Sequence, residues 1–458
     1  MSRSSNNETS RKRKATGTGE GDDDDVVSCP YLDTVERSLL DFDQEPACSV
    51  TLQTGPHIYC CLVCGKFFRG RGPQTPAYTH SVEESHFVFV HQDKGTFHCL
   101  PDDYEIKDSS LNDIRDALHP SYSKQQIKDI EQKADLCRDL FGAKYLPGFV
   151  GLNNHGKTDC INAVVQALAH VKPLRDYFLS MSHFDSVILD KKIVGMSSTR
   201  LAVQVTNAFG MLVRKIWSDK RFKSTVDPHV LVQAISAASN KKFRIGQQAE
   251  VGELIAWLLH QLHIGTGGKR KAGSSIVHKT FQGKVQVTTR QVKSKNKSNN
   301  NDTIDDRLGS DDEEGEDGKM QDTKEPEVVV EETTADTHFL QLTLDIPEKP
   351  LFRDADGGLV IPQEPLVNVL KKFDGTTLTD AVSRSGASQR KSYKLLKLPD
   401  HLILHLGRFK QNGYTREKNP SIVAFPVKNF DLSGYVHHEK GRPKPPTEAE
   451  VRNMSVSR

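Results

Sequence analysis

Two thiols and two imidazoles in this 458-residue chain stand at a spacing that suits a metal ion. Cys61 and Cys64 lie in CLVCG, and His80 and His86 follow, giving the pattern C-x2-C-x15-H-x5-H. Tetrahedral zinc takes this donor set: a tight Cys pair chelates from one turn and two histidines close the site. Four protein ligands leave no open position for water, so one structural zinc ion is expected rather than a catalytic one. Separate core cysteines and surface histidines would be the ordinary alternative, and the spacing argues against it. Cys29, Cys48, Cys60 and Cys99 lack partners at comparable spacing. A second candidate for chemistry lies in GLNNHGKTDCIN, Gly151 to Asn162, where a lone thiol, Cys160, follows an acid, Asp159, at the start of an expected helix.

The elements that must position these groups fall into two folded regions. Residues 28 to 122 are dense in Cys, His, aromatics and Gly, and the alternation in HFVFVH, His86 to His91, predicts a strand. A helical connector is expected over 123–147. Ser123 and Gln126 form a capping-box pattern, and Ile127, Ile130, Ala134, Cys137 and Phe141 recur at helical spacing before Gly142, which would bury Cys137 on an apolar face. The second region, 148–436, opens with a helix from about Asp159 to Val171 and carries another in GELIAWLLHQLH. Strand-like alternation follows in FQGKVQVTT, FLQLTLDI and LILHLGRF.

Composition assigns the rest. Hydrophobic residues make up 36% of the chain, which suggests that parts of it do not pack. The expected unpacked parts are the tail 1–27, an acidic insertion over about 293–337 and the tail 437–458. The net charge of +2 hides an asymmetry: residues 302–336 hold fifteen acids and three bases, so they carry −12 and the remainder +14. A basic folded part suits RNA or an acidic protein surface, although lysines spread for solubility give the same sum. RKRK, Arg11 to Lys14, reads as a nuclear import signal, and Ser310 ahead of DDEEGED as an acid-directed phosphorylation site. No apolar run approaches the ~18 residues of a membrane span and no secretory signal opens the sequence, so an intracellular protein with no membrane partner is expected.

CLVCGKFFRGRG, AYTHSVEESHFVF and FHCLPDDYEI resemble the zinc-finger domain of the ubiquitin-specific proteases, some of which hold up to three zincs and bind the free C-terminal tail of ubiquitin. The resemblance implies one retained zinc site, since Arg69 and Pro76 replace a Cys and a His of the fuller pattern. Arg71 matches the arginine that contacts the ubiquitin tail, while Leu100 stands where binding members usually present a tyrosine.

The region from Gly148 to about Tyr435 resembles the catalytic fold of the same family, a papain-like thiol protease with an inserted β-sheet finger. The expected fold class is therefore α+β, a zinc finger followed by a C-terminally shortened protease fold. Active members read G-L-x-N-x-G-N-T-C-Y-x-N at the first box, which puts Asp159 in the place of the nucleophile and Asn154 in that of the oxyanion-hole residue. A thiol at a helix N-terminus is activated because the free N–H groups and the dipole stabilise thiolate. Asp159 suits the same field as an N-cap carboxylate but is a poor acyl-transfer nucleophile. One step along a helix turns a side chain by about 100°, which would carry Cys160 away from the cleft as an inert, partly buried thiol. The family's histidine box and its finger-region CxxC pairs are missing, and His437 and His438 are expected to be solvated.

The resemblance extends to the non-catalytic ubiquitin-specific proteases of the spliceosome. It implies a nuclear scaffold in pre-mRNA splicing that assembles or holds the tri-snRNP. Its implied partners are tri-snRNP proteins, with small nuclear RNA and ubiquitin or a ubiquitin-like protein as further candidates. Two alternatives stay open: an active deubiquitinase using Cys160, and a ubiquitin-binding adaptor acting through Arg71.

Overall fold

The computed structural model describes residues 29–132, 135–180, 197–294, 328–348, 352–353, 359–383, 386 and 388–437. The basic run at Arg11, Ser310, His438 and most of both tails lie outside the described residues. The chain divides into two compact units. The first comprises 1–120, 137–145 and 219–224, and the second 121–136, 146–218 and 225–458.

The first unit is built on a five-stranded antiparallel sheet of β1 (Ile58–Cys61), β2 (Phe67–Arg69), β3 (Val88–His91), β4 (Phe97–Cys99) and β5 (Tyr104–Ile106), in the order β2-β1-β3-β4-β5. Helix α1 (Pro76–Glu83) covers one face and α2 (Asn112–Leu118) belongs to the core on the other. Both faces are buried, so β1 and β3 are buried at every position rather than at alternate ones. The pleat sends successive side chains to opposite faces. Tyr59, Cys61 and Phe89 pack with Phe68, Ala77 and Leu100, while Cys60, Val88 and Val90 pack with Phe97, Ile114 and Leu118. Cys60 and Cys61 are thus neighbours in sequence with opposite surroundings.

The expected helical connector is corrected by the structure. The capping box at Ser123 and Gln126 is present, but α3 runs only over Lys124–Asp129. Cys137–Arg138 (β6) pairs instead with Lys144–Tyr145 (β7). The Asp139 carboxylate accepts the N–H groups of Phe141 and Ala143, a local bond that competes with helix. Cys137 is half-buried on a strand and Phe141 is 70% exposed, so neither lies on a buried helical face.

The second unit combines a helical layer with small sheets. Among the described residues its helices include α4 (Asp159–Ala169), α5 (Lys172–Leu179), α6 (Ser197–Trp217), α7 (His229–Ala238), α8 (Val251–Gly265) and α9 (Ile276–Phe281). Gly148, at φ +86, lets the chain pass the Trp217 ring, which an added Cβ would meet at 2.7 Å. Strands β8 (Gly283–Ser294) and β9 (Val328–Phe339) form a long antiparallel pair, and β10 (Leu342–Asp345) follows. Strands β11 (Thr379–Val382) and β12 (Ser388–Lys397) complete a four-stranded sheet in the order β11-β12-β8-β9. β10 pairs in parallel with β13 (Leu404–Gly407) over a core that includes Leu344, Ile346, Leu370 and Leu395.

β9 also corrects an expectation. The insertion expected to be unpacked over about 293–337 contributes residues 328–337 to a strand paired with β8 along twelve residues. β-Branched residues fill VVVEETTADTHF, and ion pairs Arg290–Glu332 (3.1 Å) and Lys284–Asp336 (2.7 Å) cross to β8. The acids counted with the insertion are, at Glu332 and Asp336, partners within the sheet. His437 is likewise not solvated: it is half-buried, its N–H donates to the Leu395 carbonyl at 2.9 Å and its ring nitrogen lies 3.0 Å from the Asp374 carbonyl.

Candidate zinc centre and degenerate catalytic turn

The sequence from Cys61 to Gly65 leaves β1 in a tight turn. The Gly65 N–H donates to the Cys61 carbonyl (2.9 Å) and the Cys61 N–H to the Lys66 carbonyl (2.9 Å). Gly65 sits at φ +72 against the Leu39 carbonyl, where any Cβ would collide. This turn brings Cys61 and Cys64 together, α1 supplies His80, and His86 follows the turn after that helix. One ligand atom from each of the four lies within 4.8 Å of the others. Cys64 Sγ is 3.4 Å from His80 Nε2, and His86 Nδ1 is 3.1 Å from the same nitrogen. Phe68 stacks on the His80 ring at 4.1 Å and fixes its orientation. The hydrogen bond between the two thiols pulls Cys64 down to about 4 and pushes Cys61 up. A cation that accepts two thiolates and two imidazoles fits this donor set.

The other cysteines divide by environment. Cys60 is fully buried, and burial pushes its thiol well up. Cys29 and Cys99, seventy positions apart and treated by spacing as unpartnered, lie in one buried core cluster with Tyr104 packed against it. Among the described residues no third metal-binding side chain joins them. Nothing in their spacing signals this shared core, because it depends on β4 lying across from the segment before β1.

Arg71 is already engaged. Its Nε lies 3.3 Å from Asp103 Oδ1 and its Nη1 2.8 Å from His98 Nδ1. His98 is buried, and burial followed by the Arg71 charge lowers its pKa. Leu100 is fully buried and offers no hydroxyl.

In the second unit, residues 151–158 form the turn that leads into α4. Leu152 bridges Val226, and the Asn162 side-chain amide donates to the Asn153 carbonyl at 3.0 Å. Asn154 Oδ1 accepts from the Thr158 N–H (3.1 Å) and hydroxyl (2.9 Å), and the His155 N–H donates to Thr158 Oγ1 (3.0 Å). The N-cap is therefore Thr158, with Asp159 as the first helical residue, a correction to the expectation that the Asp159 carboxylate caps the helix. Asp159 still carries its charge in the first turn, where the dipole favours an anion. It is exposed, and Cys160 is half-buried. Burial raises the Cys160 pKa, and the carboxylates of Asp159 and Glu250 raise it further. A helix N-terminus that lowers a thiol pKa is here opposed by two anions and desolvation.

Sequence reasoning did not single out Glu250 or His405. Glu250 caps α8 by accepting the Glu253 N–H at 2.7 Å, and its other oxygen meets His405 Nε2 at 3.0 Å. Burial pushes the Glu250 carboxyl up, but the N–H groups of Glu253 and Gly252 together with His405 outweigh it and the net shift is downward. His155 forms a comparable pair, its Nε2 2.5 Å from Asp227 Oδ1. The capping pattern E-x-x-E at Glu250 was a usable signal; the imidazole 155 positions away was not.

Two family models match the chain: "Zn-finger in ubiquitin-hydrolases and other protein" over residues 48–111 and "Ubiquitin carboxyl-terminal hydrolase" over residues 150–449. The chain is 41% identical to ubiquitin carboxyl-terminal hydrolase 39 of Homo sapiens, over 90% of this chain and 68% of that protein. It is 36% identical to the probable mRNA-splicing protein ubp10 of Schizosaccharomyces pombe, over 89% of this chain and 73% of that one. Among solved structures it is similar to that of an essential yeast splicing factor, with 26% identity, a TM-score of 0.58, and coverage of 86% of this chain and 82% of that one. The zinc-finger match covers the converged Cys and His donors, and the larger match falls on the unit that holds the Asp159 turn. The α+β architecture of a zinc finger followed by a protease-like fold is thus the one that these matches describe, and the chain belongs to the ubiquitin carboxyl-terminal hydrolase family.

Proposed function

We propose that this chain is a non-catalytic scaffold of pre-mRNA splicing, with a zinc-finger domain over 28–122 holding one ion and a protease-like domain over 148–436 that recognises partners without cutting them. The reading rests on the head of α4, where the exposed carboxylate of Asp159 stands at the position that the family resemblance assigns to the nucleophile, and where burial and two anions raise the pKa of the next thiol. An acyl transfer needs a thiolate with a base in hydrogen-bond reach, and the charged groups that act on Cys160 are carboxylates, which disfavour thiolate. Relatives named as splicing proteins support the process, and the proposal extends it to a nuclear location and to partners among tri-snRNP proteins.

The test is labelling with a ubiquitin probe bearing a thiol-reactive C-terminus, together with co-purification from nuclear extract. The scaffold reading expects no label on the natural chain and recovery of tri-snRNP proteins with a tagged copy. Label on Cys160 would overturn the non-catalytic part, and a tagged chain that recovers no splicing protein would overturn the rest.

A further inference from the structure

Between Leu254 and Asn301 the sequence contains no acidic residue. Within this stretch the α8–α9 connection, residues 266–275, reads TGGKRKAGSS and presents Lys269, Arg270 and Lys271 side by side on the surface. Lys279 on α9 is exposed close by in sequence. None of these four cations has an ion-pair partner among the described residues. By contrast, Lys284 and Arg290 in the following strand are paired across to β9, and Lys242, Lys372 and Lys410 elsewhere in the unit are each paired with a carboxylate.

The loop is built rather than loose. Ser274 Oγ accepts the Lys269 N–H at 2.9 Å and donates to the Lys269 carbonyl at 2.7 Å, which closes the loop across its three cations. Gly273, at φ +69, donates to the Gln282 side chain at 3.1 Å. The His263 and His278 rings stack at 3.7 Å and an 18° angle, and the Gly268 N–H, just before the cations, donates to the His263 carbonyl at 2.8 Å. His263 Nδ1 also meets Ser275 Oγ at 2.7 Å, the oxygen that caps α9. Three adjacent charges would repel each other in a flexible segment; here the backbone is held by these bonds and the charges point outward.

We propose that this loop, with Lys279, is a phosphate-contacting surface for RNA that reads the backbone and not the bases. The proposal rests on the splicing reading above and specifies one of its partners. Residues 266–275 offer three cations and otherwise only Thr, Ser, Gly and Ala. Protein interfaces draw their affinity from aromatic and large apolar anchors at a buried centre, and this loop has none. Affinity for a polyphosphate needs only cations placed along the backbone, and it announces itself through salt dependence.

The experiment compares the full chain with K269A/R270A/K271A and with K242A/K372A/K410A, which removes equal charge at paired sites. Binding of a labelled single-stranded RNA of mixed sequence is followed by anisotropy at several salt concentrations. Each phosphate contact contributes about 0.7 to the slope of log affinity against log salt, so the loop variant should flatten it by about 2 and bind about a hundred-fold more weakly near 0.1 M salt. Unchanged zinc content and melting temperature would show that the variant is folded. A loop variant with the natural slope, or one that loses no more than the paired-site variant, overturns the proposal. So does a loop variant that loses affinity for poly-glutamate while keeping its affinity for RNA. Co-purification of splicing proteins with the loop variant tests the underlying reading separately, because recovered proteins with an unchanged RNA slope sink this inference alone.

Discussion

Arg71 and Asp103 form an ion pair at 3.3 Å, with both side chains nearly half exposed. Asp103 reaches it from a left-handed turn, φ +57, just beyond β4. Arg71, the residue proposed to contact a ubiquitin tail, is therefore paired within its own chain. Substituting Asp103→Ala should strengthen binding of a ubiquitin C-terminal peptide by up to about five-fold, since a half-exposed pair is worth no more than about 1 kcal/mol. Arg71→Ala should abolish whatever binding the natural chain has. Anisotropy titration of the peptide against all three proteins checks this, and a D103A variant that binds no better than the natural chain would refute it.

Zinc content should be one ion per chain by atomic absorption, and Cys64→Ser should bring it to none. The neighbouring Cys60→Ser should keep the ion, because Cys60 faces the other side of the sheet, yet destabilise the chain by about 1–3 kcal/mol by placing a hydroxyl in an apolar core. Loss of zinc from C60S would mean that the two-faced reading of β1 is wrong. Release of the ion by a chelator should become easier as pH falls, since thiolates and imidazoles must take up protons to let it go.

Cys160 should alkylate slowly near neutral pH and faster as pH rises toward and beyond 9. Its thiol is raised by burial, Asp159 and Glu250, so the thiolate fraction is small at pH 7.5. Asp159→Asn removes one of the opposing anions and should lower the pKa and quicken the reaction at pH 8. Peptide mapping after timed iodoacetamide treatment gives the rate for this one cysteine. A faster reaction in the natural chain than in Asp159→Asn would reverse the assigned direction.

His263 is buried and held down to about 4, first by burial and then by the charges of His278 and His260. The unfolded chain, with an ordinary histidine near 6.5, takes up a proton before the folded chain does. Stability is therefore full above about 6.5 and falls as pH drops from there toward 4. Thermal melts should show a lower midpoint at pH 5 than at pH 7.5, and His263→Gln should flatten that dependence. Carboxylates also titrate at the lower end, so the informative interval is pH 5 to 6.5.

The sequence by itself determined the features that depend on near neighbours. The four zinc donors are fixed by a two-residue spacing in a turn and a five-residue spacing across the end of a helix. The start of α4 with Asp159 in its first turn is equally local, as is the capping box at Ser123. The connector failed where helical spacing alone was trusted: a periodic apolar set predicts a helix only if some surface receives it, and Asp139 tied the backbone into a turn instead.

Tertiary structure alone decided which distant groups meet. Strand pairing separated Cys60 from Cys61, brought Cys29 into one core with Cys99, and turned the end of an acidic insertion into β9. It set Asp103 on Arg71, His405 on Glu250, and the stacked imidazoles beside the Lys269 loop. The physical reason is that spacing along a chain specifies local geometry within a turn or two. Contact across tens of residues follows from sheet register and core packing, which no short window of sequence contains.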